Sequence, residues 1–160
     1  MSYLHELLDA SPPAFVKFAL FQPMSRHRED VPVTTWFAAK LAATMSEDCG
    51  PCSQLMVDMA IRAGVAPAIV AALARGDLTS AGADASLGFR YGRAVAANAP
   101  EADVVAAQAL AKYGRRGVAS LAMAVAAARV YPALKRGLGH GATCQRLVVG
   151  EEAIEMKRAA

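Results

Sequence analysis

Trp36-Phe37-Ala38-Ala39-Lys40-Leu41-Ala42-Ala43 runs toward Ser46-Glu47-Asp48-Cys49-Gly50-Pro51-Cys52, and the reading of this stretch decides the fold. The first eight residues are rich in alanine, the best helix former, and show no period-two alternation. They predict a helix that closes in a turn over 46–49. Pro51 then falls in the first turn of the next helix, where a missing N–H costs little. The same composition continues outward. The chain has 37 Ala among 160 residues, against 5 Phe, 4 Tyr and 1 Trp. This argues for an all-α fold of closely packed helices and against β-sandwiches, collagen-like repeats and disulfide scaffolds.

Punctuation by Pro, Gly, Ser and Asp divides the rest into helical stretches. We expect helices over 2–9, 14–24, 32–44, 51–63, 66–74 and 86–98. A hairpin pair over 103–113 and 118–136 is joined at Gly114, and a last helix covers 151–158. No convincing strand alternation is found. The expected organisation is a single domain, with a helical arm (1–30), a helical core (31–140) and a tail helix (141–160). A chain of this length buries roughly 70% of its unfolded surface and needs no metal to hold it.

Hydrophobic residues make up 55% of the chain and charged residues 19%, with a net charge of +3. Three cysteines in such a chain fit a reducing cytoplasm. The N-terminus lacks a basic segment followed by an apolar one, so no signal peptide is expected. The most apolar run, 117–128, is shorter than the roughly 20 residues a membrane span needs, so no membrane association is expected. No Asp or Glu occurs from Val104 to Gly150, where seven Lys and Arg stand. These are dispersed, with little aromatic interleaving, so the expectation is a solvated face or an anion-attracting rim, and no nucleic-acid partner.

Cys49-Gly50-Pro51-Cys52 is the one constellation with chemistry written into it. Two thiols three positions apart at a helix start can close a disulfide with little backbone movement. The helix dipole and free N–H groups favour the thiolate, the reactive species. Such a pair can pass two electrons to a peroxide or another disulfide. Two other readings stand beside it: half of a zinc site completed by His140 and Cys144, and inert packing. The motif is shared with thioredoxin, but there it follows a buried strand in a βαβ unit; here the helical run before it excludes that fold.

Residues 32–138 resemble the alkylhydroperoxidase D-like and carboxymuconolactone decarboxylase superfamily. The pieces that match are Cys49-Gly50-Pro51-Cys52, Ala60 with Gly64, Ala71-Ala72-Leu73-Ala74-Arg75-Gly76-Asp77 and Leu87-Gly88-Phe89-Arg90-Tyr91-Gly92-Arg93. Ala127-Ala128-Arg129 and Tyr131 follow, in the same order. The resemblance implies an all-α bundle that assembles as a homo-oligomer, a trimer or hexamer. It also implies peroxidase or disulfide reductase chemistry without a cofactor or metal. It makes Cys52 the nucleophile and Cys49 the resolving thiol, whereas position alone favours Cys49, nearer the helix start and expected to be more exposed.

Two positions depart from the family pattern. Its redox members carry a His four residues after the second cysteine, where this chain has Met56, and a Glu on the preceding helix, where it has Phe37. Glu47 or Asp48 could supply a carboxylate, and Trp36 and Phe37 could wall a pocket or simply pack. Met56 lies one turn beyond Cys52 and has no titratable proton, so the thiolate would rest on the helix dipole alone. His5, His27 and His140 are scattered and read as surface or structural; Cys144 reads as a free thiol. The leading function is a thiol oxidoreductase acting on a hydroperoxide or a thiol/disulfide partner. A non-redox decarboxylase-like enzyme on a small carboxylated molecule and a non-catalytic oligomeric binding protein are the alternatives.

Overall fold

Helix α4, Val33–Ser46, runs through the centre of the molecule, and every residue from Thr35 to Thr44 is buried. A helix apolar on all sides belongs in a core. In the computed structural model, which describes residues 2–141 and 146–155, α4 follows α1 (Ser2–Ala10), α2 (Pro12–Ala19) and α3 (Gln22–Arg26). After it come α5 (Gly50–Arg62), α6 (Pro67–Arg75), α7 (Leu78–Ala81), α8 (Ala83–Ala96) and α9 (Ala102–Gly137). An antiparallel hairpin of β1 (Arg146–Val149) and β2 (Glu152–Glu155) completes the described chain. The fold is all-α, in a single domain with one small sheet.

The α4–α8 seam is the tightest contact. A Cβ built on Gly88 would stand 2.2 Å from the Thr35 carbonyl oxygen, and one on Gly92 2.2 Å from that of Ala39. Four residues apart, the two glycines share one face of α8 and let its backbone lie directly on α4. α9 packs on both helices. Tyr113 ties the three together, its hydroxyl donating to Asp84 Oδ1 at 2.8 Å and lying 3.2 Å from Thr35 Oγ1.

Three expectations need correction. The helix expected over 14–24 is two helices, because Pro23 sits in the first turn of α3. In a continuous helix its ring would collide with the carbonyl of Ala19. The break expected at Gly114 is present, with φ 67° and ψ −177°, but it is a one-residue kink: residues 115–117 are helical, and no loop separates the two segments of α9. The tail helix is replaced, over its described residues, by the hairpin, with Leu147 opposite Ile154 and Val149 opposite Glu152. Gly150, at φ 62°, supplies the left-handed residue that a two-residue turn requires. Leu147, Val149 and Ile154 are buried, so β1 alternates over its four residues, while β2 buries Ile154 alone. Residues 156–158 of the expected helix lie outside the described residues.

α7, capped by Asp77 accepting from the Ser80 N–H at 3.1 Å, was not expected at all. By length and composition alone α9 could cross a membrane, although 44% of its most apolar stretch is buried inside the molecule.

Candidate active site

The turn between α4 and α5 sets up the cysteines. Glu47 and Asp48 donate their N–H groups back to Thr44 and Met45, and Asp48 takes a left-handed φ of 49° that reverses the chain. Cys49 then caps α5 in extended geometry, and Gly50 and Pro51 form the first turn. The first helical bond runs from Ser53 N–H to the Cys49 carbonyl, 2.9 Å. Cys49 and Cys52 are joined as a disulfide across a Cα separation of 5.3 Å. Both are buried, at 6% and 9% exposure, so accessibility does not favour Cys49 as expected. Their sulfurs sit where the helix N-terminus stabilises negative charge.

The two cysteines open onto different spaces. Cys49 lines a small cleft of about 120 Å³ with Glu47, Asp48, Lys135, Arg136 and His140. Glu47 is committed there: its carboxylate meets Arg129 Nε and Arg136 Nη2, each at 2.5 Å. Burial pushes the Glu47 carboxyl up, but hydrogen bonds and charge from Arg136 and Arg129 outweigh it and hold it below the usual range. His140 Nε2 lies 2.5 Å from Glu6 Oε2, fastening α1 to the end of α9.

Cys52 lines a cavity of about 820 Å³. Pro51, Leu55, Met56 and Met59 give it an apolar wall from α5; Tyr3 and Leu4 come from α1, and Ala127, Ala128 and Tyr131 from α9. Met56 is on that wall, one turn past Cys52, where the sequence places it. Trp36 is not. Its ring lies edge-on to Phe37, centroids 4.9 Å apart, and its Nε1 donates to the His27 carbonyl at 3.0 Å. Tyr91 is buried and Arg93 exposed, and neither reaches the cavity.

The side chain that sequence reasoning missed is Lys40. It lines the Cys52 cavity at only 3% exposure. Its Nζ donates to the Ser25 carbonyl at 2.8 Å and stands 4.1 Å above the Trp36 ring. Among the described residues no carboxylate pairs with it, and burial lowers its pKa to about 8. The signal was visible as one cation inside the alanine run from Trp36 to Ala43. The arm contributes Tyr3, Leu4, Gln22, Ser25 and Arg26, so residues 1–30 build part of the site. Gln22 donates to the Tyr131 hydroxyl, and Phe18 and Phe21 pack edge-on against that ring.

Among the described residues no group of three His, Cys, Asp or Glu side chains converges as a metal site. His140 is paired with Glu6, and Cys144 lies outside the described residues. The chain matches no family model, no curated protein and no solved structure.

Proposed function

We propose that the protein is a thiol oxidoreductase of the alkylhydroperoxidase D-like kind, cycling Cys49 and Cys52 between dithiol and disulfide. The observation that carries this is the disulfide at the start of α5, with Cys52 facing a cavity large enough for an organic substrate. In the dithiol form the Cys52 thiolate attacks one oxygen of a hydroperoxide. The O–O bond breaks, the alcohol leaves with a proton, and Cys52 becomes a sulfenic acid. The Cys49 thiol then attacks the Cys52 sulfur, forming the disulfide and releasing water. Two equivalents of an external thiol return the pair to the dithiol and leave as their own disulfide.

Burial of both sulfurs favours a small organic substrate over a folded protein disulfide. We assign the chain to a reducing cytoplasm, where the resting form is the dithiol, and to a homo-oligomer. Val16, Leu20, Val104 and Leu110 are exposed apolar side chains available to such a contact. Light scattering that gave the 16.7 kDa monomer mass at micromolar concentration would overturn the assembly.

Thiol counting by mass after alkylation, with and without reductant, tests the redox pair. The oxidised sample should expose two fewer thiols than the reduced one; equal counts would refute the reading. With an alkyl hydroperoxide and dithiothreitol, turnover should vanish in Cys52→Ser. Unchanged turnover would remove Cys52 from the chemistry.

A further inference from the structure

A buried lysine with no acid partner is an expensive feature in a core. Desolvating an ammonium is unfavourable, and a carbonyl and a ring face compensate only in part. Lys40 pays that penalty while lining a cavity that none of the described residues fills. The surrounding wall is apolar at Leu4, Leu55, Met56 and Met59, and Arg26, Lys135 and one carboxylate, Asp58, line it beside Lys40. A ligand matching such a wall has a hydrocarbon body and one anionic group.

We propose that the cavity beyond Cys52 binds an amphipathic carboxylate, its head on Lys40 and its chain along Leu55, Met56 and Met59. A volume of about 820 Å³ accommodates a medium-length acid as well as its reacting group. That the acid is also a substrate, a hydroperoxide or disulfide carrying the carboxylate, rests on the redox reading above; the binding site itself does not.

The other ionisable groups on the cavity are Tyr3 of α1, Arg26 of α3, Asp58 and Cys52 of α5, and Tyr131 and Lys135 of α9. α8, packed on the far side of α4, offers the buried Tyr91, which is off the cavity. Burial raises all three tyrosines, and the disulfide removes Cys52 from titration in the oxidised protein. Arg26 is exposed and Lys135 half-buried, so Lys40, buried at 3% exposure and near 8, is the cation whose loss of charge should weaken carboxylate binding across neutral to mildly alkaline pH.

Trp36 supplies the readout, since it is the single tryptophan and lies 4.1 Å from the Lys40 ammonium. Decanoate, decanol and decylamine should be titrated into the oxidised full chain, following Trp36 emission and the heat of binding. At pH 6.5 decanoate should bind at least about tenfold tighter than decanol, the scale of one hydrogen bond to a charged group. Decylamine should bind weakest. Cys52→Ser should keep this order, so a failure of the redox chemistry leaves the result standing. Lys40→Met should keep decanol binding and lose the preference for decanoate.

Equal affinity for acid and alcohol, or a preference that survives Lys40→Met, would overturn the site. If that variant does not fold, a pH series on the unaltered chain decides. The decanoate advantage should decay between pH 7 and 9.5 with a midpoint near 8 while decanol stays level; a flat decanoate profile would refute the proposal.

Discussion

The two faces of α4 are built on opposite principles. Toward α8 the backbones touch, and there is no room for a single methyl at Gly88 or Gly92. Toward α5 and the arm the same helix borders a space of about 820 Å³, with the buried Lys40 on its wall. One turn of helix thus carries Ala39, pressed against Gly92, and Lys40, facing the hollow. The lesson is that stability and binding are divided between two sides of one element. The seam gives α4 a fixed position, and that position is what allows the other face to be left unfilled.

The sharpest way to break this contrast is Gly92→Ala. The added methyl would meet the Ala39 carbonyl at 2.2 Å, and since the obstacle is backbone, the helices must separate. We expect a loss of at least about 3 kcal/mol, at the upper end of overpacking costs. Urea unfolding checks it, and a loss below about 1 kcal/mol would mean the seam yields easily.

On the other face, Lys40→Met should have the opposite sign. Below about pH 8 the folded chain holds a desolvated ammonium that the unfolded chain hydrates freely. The variant should therefore be more stable near pH 7 by about 2 kcal/mol, after allowing for the lost bond to Ser25. A lowered lysine pKa means the unfolded state binds more protons between about 8 and 10.5. Stability of the unaltered chain should then rise through that window, and the gap to the variant should close by the top of it. Chemical denaturation at pH 7 and at pH 10 checks both; a variant less stable than the parent at pH 7 would show that Lys40 holds the fold together.

The smallest expected effect is on chemistry. Met56→His places a base one turn beyond Cys52 on the cavity wall. It should raise hydroperoxide turnover about tenfold, below the usual range for a positioned base because the ring is not otherwise oriented. It should also move the pH profile to lower values. Steady-state rates across pH 6–9 decide. If both stay unchanged while Cys52→Ser abolishes turnover, another group takes the thiol proton.

Much of this was legible in the residues. The alanine run from Trp36, the turn at 46–49 and the helix start at Gly50 followed from propensity and from Pro51, because these are local effects. The α2–α3 break was written in Pro23 but was overridden by the apparent spacing of Phe15, Phe18 and Phe21, of which Phe18 and Phe21 pack as an aromatic cluster with Tyr131. The hairpin was missed because strands of four residues give two alternations at most, and their burial depends on α5 and α6, which no local pattern reports. The cavity was missed for the same reason. It is lined by α1, α3, α4, α5 and α9 together, and Lys40 means little until its neighbours are known. The cysteine pair was found because its chemistry needs only three residues of separation.

The hairpin leaves one further consequence. A two-stranded ribbon has two open edges, and each could accept a strand from another molecule. At Val148 that position is taken. The Gln54 side chain, two residues past Cys52, accepts from the Val148 N–H at 2.7 Å and donates to its carbonyl at 2.9 Å, as a neighbouring strand would. A helix side chain thus acts as a one-residue decoy strand, and the β1 edge is blocked at Val148 from within.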